Sequence, residues 1–387
     1  MTRHRVNPPV PKPTDRRMKV AFVIHDFDQT FGQGRYGVEL ARFLASRCDF
    51  VVYSNTFSAP DVPGIRWVRV PAWRWNVVTT VLTFLPLAEW IVSRDKPDVI
   101  HAQGLTCWRA DIITAHICNA ARARSSAMNQ RRTRWFIRLV TPLERLFYGQ
   151  RRARHMIAIS ETTAREIQSE YHWRRPFTVL HHGTNTRQFK PAANAAEIAG
   201  LRRDFGLPDG RWIWLLVGEA VKGLRQVIEQ LAAFPTAHLL AITRSDLSRY
   251  QNLARQLGVI DRITFCGYTP QPELAYRAAD AFVYPSDYDP FGMVGSEAMA
   301  SGLPVVLGHN IGVAELVRHG ENGLLCDPGN PRSIHEQLAR LLADPAKARD
   351  LGTKARETIV ATSWEHNADV VCQIYQSVFD ERTRGTT

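Results

Sequence analysis

Residues 284–306 read YPSDYDPFGMVGSEAMASGLPVV, and their order decides the fold. The apolar run before them, Ala281–Tyr284, reads as a buried parallel strand reaching its carboxyl end. Asp289 falls in the loop after it, Gly292 permits close backbone approach, and a helix is predicted to begin near Met293. A helix start offers unpaired N–H groups and a positive dipole end, which together seat a phosphate. Glu297 lies one turn inside that helix. Two carboxylates bracketing such a seat suit the hydroxyls of a sugar, since each accepts hydrogen bonds from a vicinal diol. As isolated residues, Asp289 would equally serve as a turn former and Glu297 as a solvent-facing helix position.

Working outward, strands alternate with helices on both sides of this segment. Lys19–His25, Phe50–Ser54, Asp98–His101, Asp111–His116, Met156–Ser160 and Phe177–Leu180 read as strands in the first half. Ser160 reads as a helix N-cap, with Thr163 three residues on. Trp212–Val217, His238–Ile242, Ile263–Cys266, Ala281–Tyr284 and Val305–Leu307 follow in the second half. Helices are predicted between them, at Tyr36–Ser46, Lys222–Phe234, Arg249–Leu257, Glu273–Ala279, Gly295–Ser301, Val313–Val317 and Arg332–Ala343. Alternation of this kind predicts two doubly wound α/β domains with parallel sheets, facing each other across a cleft. Residues 1–17 form a basic, Pro-rich segment expected to be loose. The expected domains are 18–190 and 191–365, with the small-residue run at 191–200 as a linker. A last helix at 366–387 is expected to pack back on the first domain.

A chain of 387 residues suits two domains at roughly 150 residues each. Its 45% hydrophobic and 22% charged residues exclude a disordered chain or a collagen. The net charge of +12 is unevenly placed: residues 1–190 carry +16 and residues 191–387 carry −4. A basic first half implies anionic partners. Six scattered cysteines form no CxxC pair, which argues against a zinc ribbon and fits a reducing, cytoplasmic setting. The N-terminus lacks the apolar run of a signal peptide. The nearly uncharged stretch from Asn76 to Trp90 contains Pro86 and Glu89 and is too short to span a bilayer, so it reads as a buried or interfacial helix.

Further candidates also follow strands. Gly218 and Lys222 lie in VGEAVKG at 217–223, where a lysine opening a helix would hold an ammonium over the cleft, suited to a diphosphate. His116 ends an apolar run and is either a hydrogen-bonded core residue or a catalytic one. His101, His181 and His182 end similar runs and carry less weight. Gly32 and Gly34 form a glycine loop, FGQGR, between the first strand and helix; a bare GxGxxG is satisfied by any tight strand–helix turn. The loop comes seven residues after the strand, too late for a dinucleotide fingerprint.

Asp289-x7-Glu297, followed by AMASGLPVV, resembles the E-x7-E signature of retaining GT-B glycosyltransferases of family four, also known as glycosyl transferases group 1. The resemblance extends from about Met18 through HAQG (101–104), TAH (114–116), IAISE (157–161), HHGTN (181–185), FCGYTP (265–270) and NGLLCDPGN (322–330). Within that family it resembles enzymes of lipopolysaccharide-core and cell-surface polysaccharide assembly. It implies a nucleotide-sugar donor, with uridine diphosphate favoured, held by the C-terminal domain, an acceptor held by the N-terminal domain, and neither metal nor other cofactor. Glu297 would then bind the ribose hydroxyls, and Asp289 the transferred sugar. Backbone N–H groups from Phe291, Gly292, Met293 and Val294 would face the sugar and diphosphate, with Gly218 and Tyr268 nearby. His116 and Lys222 would join Asp289 as catalytic groups, and the Gly32–Gly34 loop would border the diphosphate and acceptor. The chain departs from the pattern twice. Asp289 stands where Glu is commoner, and the Arg that usually accompanies Lys222 is missing, which makes Arg225 a candidate replacement.

Between Arg122 and Arg154 stand ten arginines and one acid, Glu144, interleaved with Trp135, Leu139, Leu146 and other apolar residues. The stretch is either an ordinary amphipathic helix with a solvated face or a surface that lies on anionic lipid. No nucleic-acid module is recognisable, so nucleic acid is not an expected partner. The expectation is a retaining hexosyltransferase at the inner face of the membrane, acting on a lipid-linked or envelope glycan. A soluble small-molecule acceptor, or a non-catalytic nucleotide-sugar-binding protein, are the alternatives.

Overall fold

The computed structural model describes residues 17–29, 32–59, 62–124 and 131–384. The basic N-terminal segment up to residue 16, and Phe31 of the glycine run, lie outside them. The N-terminal half runs β1 (Lys19–Val23), β2 (Asp26–Asp28), α1 (Gly32–Leu44), β3 (Asp49–Ser54), β4 (Thr56–Ser58), β5 (Arg66–Arg69), α2 (Val77–Asp95) and β6 (Val99–Gln103). It continues with β7 (Ile112–Ala115), α3 (Asn119–Arg122), α4 (Arg131–Gly149), β8 (His155–Ala158), α5 (Glu161–Tyr171) and β9 (Phe177–Val179). The second half runs α6 (Ala195–Asp204), β10 (Trp212–Val217), α7 (Leu224–Leu231), β11 (Ala237–Ile242), α8 (Ser248–Gln256), β12 (Ile263–Cys266), α9 (Pro272–Ala278) and β13 (Ala281–Tyr284). Then come α10 (Met293–Ala300), β14 (Val305–Gly308), β15 (Leu324–Cys326), α11 (Pro331–Ala343), α12 (Pro345–Val360) and α13 (Trp364–Arg384).

Seven strands pair in parallel in the order β5-β3-β1-β6-β7-β8-β9, and six in the order β12-β11-β10-β13-β14-β15. In both sheets the order reverses beside the first strand of the domain, between β1 and β6 and between β10 and β13. Ligands of doubly wound sheets bind outside the carboxyl ends at that reversal. The central strands are apolar and buried on both faces, as FVVY of β3 and IWLL of β10 illustrate. β2 and β4 pair separately as a small two-stranded ribbon.

α13 leaves the second domain and packs along α1 and β6. Trp364, Val371, Tyr375 and Val378 are buried in the N-terminal core. Apolar side chains of this size each contribute about 1.5–3 kcal/mol when fully buried, so α13 straps the two domains together.

Four readings are corrected. Gly32 and Gly34 are not a loop but the first turn of α1. The turn is glycine-rich because a Cβ on Gly34 would stand 2.4 Å from the Asp28 carbonyl oxygen. The run at 191–200 is not all linker, since α6 begins at Ala195 under the Asn194 cap, whose side chain accepts from the Glu197 N–H at 3.0 Å. The segment from Val313 to Val317 is a 3-10 helix, Gly312–Leu316, rather than an α-helix. Lys222 precedes α7 rather than opening it, because Gly223 adopts φ 110° at the N-cap. Ser160 caps α5 as read, its Oγ accepting from the Thr163 N–H at 3.0 Å.

Candidate active site

Lys222 follows β10 and Asp289 follows β13, so the two flank the order reversal of the second sheet. Lys222 Nζ donates to Asp289 Oδ2 at 2.8 Å, and the Tyr284 hydroxyl donates to the same oxygen at 2.9 Å. Burial alone would lower the pKa of the Lys222 ammonium, but the Asp289 and Glu219 carboxylates outweigh it and hold the value above that of an ordinary lysine. Lys222 is therefore a fixed positive charge throughout the physiological range.

Just beyond Asp289, Gly292 turns the chain at φ 85° and α10 begins with no side chain capping its N-terminus. Its first N–H groups thus remain available, at the positive end of the helix. Phe291 is buried against the His182 ring, and the Val294 carbonyl accepts from Tyr276 at 3.3 Å. Glu297 does not face solvent: its side chain is 4% exposed. Its Oε2 accepts from the Tyr276 hydroxyl at 2.8 Å, and its Oε1 meets Arg35 of α1, from the opposite domain, at 2.6 Å. Glu297 holds Arg35 charged against the burial that disfavours its charge. Arg35 also lies 5.5 Å from the centre of the Phe189 ring. Arg35, Thr184, Asn185, Met293, Ser296 and Glu297 border a narrow space here, between the two domains.

The N-terminal wall carries four imidazoles, His101 and His182 buried and His116 and His181 half-buried. His116 Nε2 lies 2.9 Å from Gln103 Oε1, and the Gln103 amide nitrogen lies 3.1 Å from His101 Nε2. His101 Nδ1 in turn meets Tyr375 of α13 at 2.8 Å. Burial pushes both His116 and His101 down to about 3, so both rings are neutral at neutral pH. The amide oxygen can only accept, so His116 carries its proton on Nε2 and presents Nδ1 as an acceptor. His181 pairs with Glu315 at 2.8 Å. His182 is buried among Tyr36, Phe291 and Trp364, and among the described residues neither of its ring nitrogens has a partner.

The structure thus gathers two constellations, Lys222 with Asp289 and Arg35 with Glu297. It does not bring Tyr268 or Arg225 into either. Tyr268 is 65% exposed and lies under the Arg244 guanidinium. Arg225 is exposed and paired with Glu229 one turn on, so it does not replace the missing arginine. Gly218, at φ 125°, packs beside Tyr284. Sequence reading missed Arg35, Tyr276 and Tyr284 as partners of the two acids. Arg35 lay within the quoted FGQGR, but reading that run as a loop left its direction open.

The domains meet at other polar contacts near the cleft. Ser160 Oγ donates to the Pro290 carbonyl at 2.8 Å, and the Glu315 carboxylate accepts the N–H groups of Glu161 and Thr162, each at 2.8 Å. Glu166 of α5 meets the Tyr288 hydroxyl at 3.3 Å, and burial pushes its carboxyl up to about 7. Among the described residues no group of three or more His, Cys, Asp or Glu side chains could hold a metal ion.

The profile of the family described as Glycosyltransferase Family 4 matches residues 31–188, and that of Glycosyl transferases group 1 matches residues 198–358. A lipopolysaccharide core biosynthesis glycosyltransferase of Rhizobium meliloti, LpsE, is 26% identical over 91% of this chain and 97% of its own length. A D-inositol 3-phosphate glycosyltransferase of Thermobispora bispora is 33% identical over 59% of this chain and 57% of its own. The chain spans only about half the length of the inositol-phosphate relatives it matches. Among solved structures, WaaG, a glycosyltransferase involved in lipopolysaccharide biosynthesis, superposes with a TM-score of 0.77 at 18% identity, over 91% of this chain and 99% of WaaG. Anabaena HepE in complex with UDP and glucose gives 0.76 at 18% identity, over 93% and 100%. With one profile on each half in the expected order, and the two-domain architecture shared from end to end, the chain belongs to the group 1 glycosyltransferases and has the GT-B fold.

Proposed function

We propose that this glycosyltransferase moves a hexose from a UDP-sugar to a hydroxyl of a lipid-linked or cell-envelope glycan, with retention of configuration and without a metal ion. The observation that carries the donor assignment is the pairing of Lys222 with Asp289 beside the uncapped start of α10, one helix turn from buried Glu297. On this reading Glu297 accepts from the ribose hydroxyls. The α10 N-terminus and Lys222 take the charge that develops on the leaving diphosphate, where such groups act most strongly.

Asp289 Oδ2 already accepts two hydrogen bonds. That makes Asp289 a poor covalent nucleophile and leaves Oδ1 for a hydroxyl of the transferred sugar. The reaction is then a front-face exchange. The bond from the anomeric carbon to the phosphate oxygen breaks, the acceptor oxygen bonds to the same face, and its proton passes to the departing phosphate. Neutral His116 accepts a sugar hydroxyl through Nδ1 and orients the ring.

LpsE, related over nearly its whole length, supports the envelope-glycan acceptor. The inositol-phosphate relatives support a second reading, a small phosphorylated acceptor. UDP release by the purified protein, measured with a panel of UDP-sugars against lipid extracts and against inositol phosphate, decides between them. Absence of release with every donor and acceptor refutes the catalytic reading. Loss of activity in EDTA, restored by magnesium or manganese, refutes the metal-free mechanism. An inverted anomeric configuration in the product refutes retention.

A further inference from the structure

The acceptor domain exposes an unusual amount of aromatic surface. Trp73, Trp75 and Trp90 are 67%, 79% and 53% exposed, and Trp135 and Leu146 are 64% and 62% exposed. The first two stack on each other immediately before α2, Trp90 lies on α2, and the last two lie on α4. α2 and α4 pack against one another, so these side chains belong to neighbouring elements of one domain.

Each helix has two distinct faces. α2 turns Val81, Phe84, Ala88 and Val92 into the core while Leu82, Leu87 and Trp90 face out. α4 buries Ile137, Val140 and Phe147, and exposes Trp135, Arg138, Leu139, Arg145 and Leu146, spaced by threes and fours along one stripe. The one acid of α4, Glu144, is turned inward. It accepts from the Asn119 amide at 2.6 Å and from the Tyr171 hydroxyl. The outer stripe of α4 therefore carries apolar groups and positive charge without a carboxylate, within a half of the chain whose net charge is +16. The side chains of Arg131, Arg132 and Arg134, counted in the sequence as part of this basic run, lie outside the described part.

The geometry points to a peripheral membrane-docking face made jointly by the Trp73–Trp75 segment, α2 and α4, whose partner is an anionic bilayer surface. Tryptophan suits the boundary between headgroups and acyl chains, because its ring is apolar and its N–H finds water or ester oxygens. Arginines on the same stripe meet lipid phosphates. No helix among the described residues is long and apolar enough to cross a membrane, so the contact is one of lying on the surface. This inference deepens the lipid-linked reading above. α4 packs against α3 and α5, α3 lies a few residues beyond His116, and α5 carries Glu166 to the cleft. The proposed docking face and the cleft are thus linked through adjoining elements of one domain.

The test is co-sedimentation of the full chain with phosphatidylcholine vesicles, with and without 30 mol% phosphatidylglycerol, in the absence of donor and acceptor. At least tenfold tighter binding to the anionic vesicles is expected, weakening as salt rises, with a blue shift of tryptophan emission. Arg138→Glu with Arg145→Glu should lower binding at least tenfold. Trp75→Ala with Trp135→Ala should lower it and reduce the blue shift. All four positions are exposed, and unchanged UDP affinity verifies that the variants fold. Equal recovery on both lipids, no recovery on either, or wild-type binding by both variants overturns the inference. So does a dimer in solution that the same variants dissociate, since the face would then bind a second copy. Loss of UDP binding with vesicle binding intact would instead refute the donor-site reading alone.

Discussion

Replacing Glu297 by Gln tests the donor site most directly. The carboxylate is 4% exposed and already has two partners, Tyr276 at Oε2 and Arg35 at Oε1. A ribose diol would add hydrogen bonds to a charged acceptor. Such bonds contribute about 1.5–3 kcal/mol each, against about 0.5–1.5 kcal/mol for neutral ones. Two of them made neutral lose about 2–3 kcal/mol, a 30- to 150-fold weaker UDP affinity at 1.4 kcal/mol per tenfold. The fold should survive. Gln still accepts from Tyr276, and Arg35, 26% exposed, can hydrate once unpaired. The cost to stability should therefore fall below the about 3–5 kcal/mol of breaking a fully buried pair. Calorimetric titration with UDP, alongside urea unfolding, gives both quantities. Unchanged UDP affinity in a folded variant refutes the ribose assignment. Arg35→Gln is the companion experiment: it frees Oε1, so UDP affinity should hold or rise. Weakening equal to that of Glu297→Gln would make Arg35 itself a donor ligand.

Lys222→Ala should cut turnover about a hundredfold or more in a protein that still folds, because the proposed mechanism places the ammonium where charge develops; near-normal turnover would assign that role to another cation. Arg225→Ala should leave UDP release unchanged, since its guanidinium is exposed and held by Glu229; a tenfold loss would show that the diphosphate draws it in. Burial raises Glu166 from its ordinary value to about 7, so the folded state prefers it protonated. That preference contributes fully below pH 4.5 and is lost as pH rises through about 7. Glu166→Gln should therefore gain stability relative to wild type between pH 5 and pH 8, and parallel urea midpoints for the two proteins across that range would refute it.

The parallel strands were legible because burial on both faces leaves uninterrupted apolar runs, such as Trp212–Val217 and Ala281–Tyr284. Asp289 and Glu297 were legible because a strand end, a glycine and a helix start fix their positions within one short segment. The start of α1 was not. Gly32 and Gly34 carry weak helix propensity, and the close approach of the Asp26–Asp28 backbone, which leaves no room for a side chain at Gly34, is a tertiary contact that local sequence does not encode. α6 was hidden for a similar reason: none of its residues is fully buried, so its apolar pattern is faint. Arg35 and Tyr276 escaped because their meeting with Glu297 spans 262 and 21 residues. A single sequence carries no record of such a pairing.

The charges of the candidate site are paired with one another before any ligand arrives. Lys222 neutralises Asp289 within the C-terminal domain, and Arg35 neutralises Glu297 across the cleft. An incoming nucleotide sugar therefore exchanges contacts rather than meeting bare charges. On the proposed donor site, ribose hydroxyls share Glu297 with Arg35, and the diphosphate shares Lys222 with Asp289. Exchange of this kind returns less free energy than the same contacts formed to unpaired groups would, since the existing pairs are weakened as the new ones form. The compensation is that neither buried carboxylate stands uncompensated in the empty protein, a state that costs several kcal/mol. The Arg35–Glu297 pair also joins α1 to α10, so ribose binding acts on the same contact that holds the two domains together. On that proposed site the two are linked: a donor that competes with Arg35 for Glu297 weakens the contact between the domains, and a stronger contact weakens donor binding by the same amount.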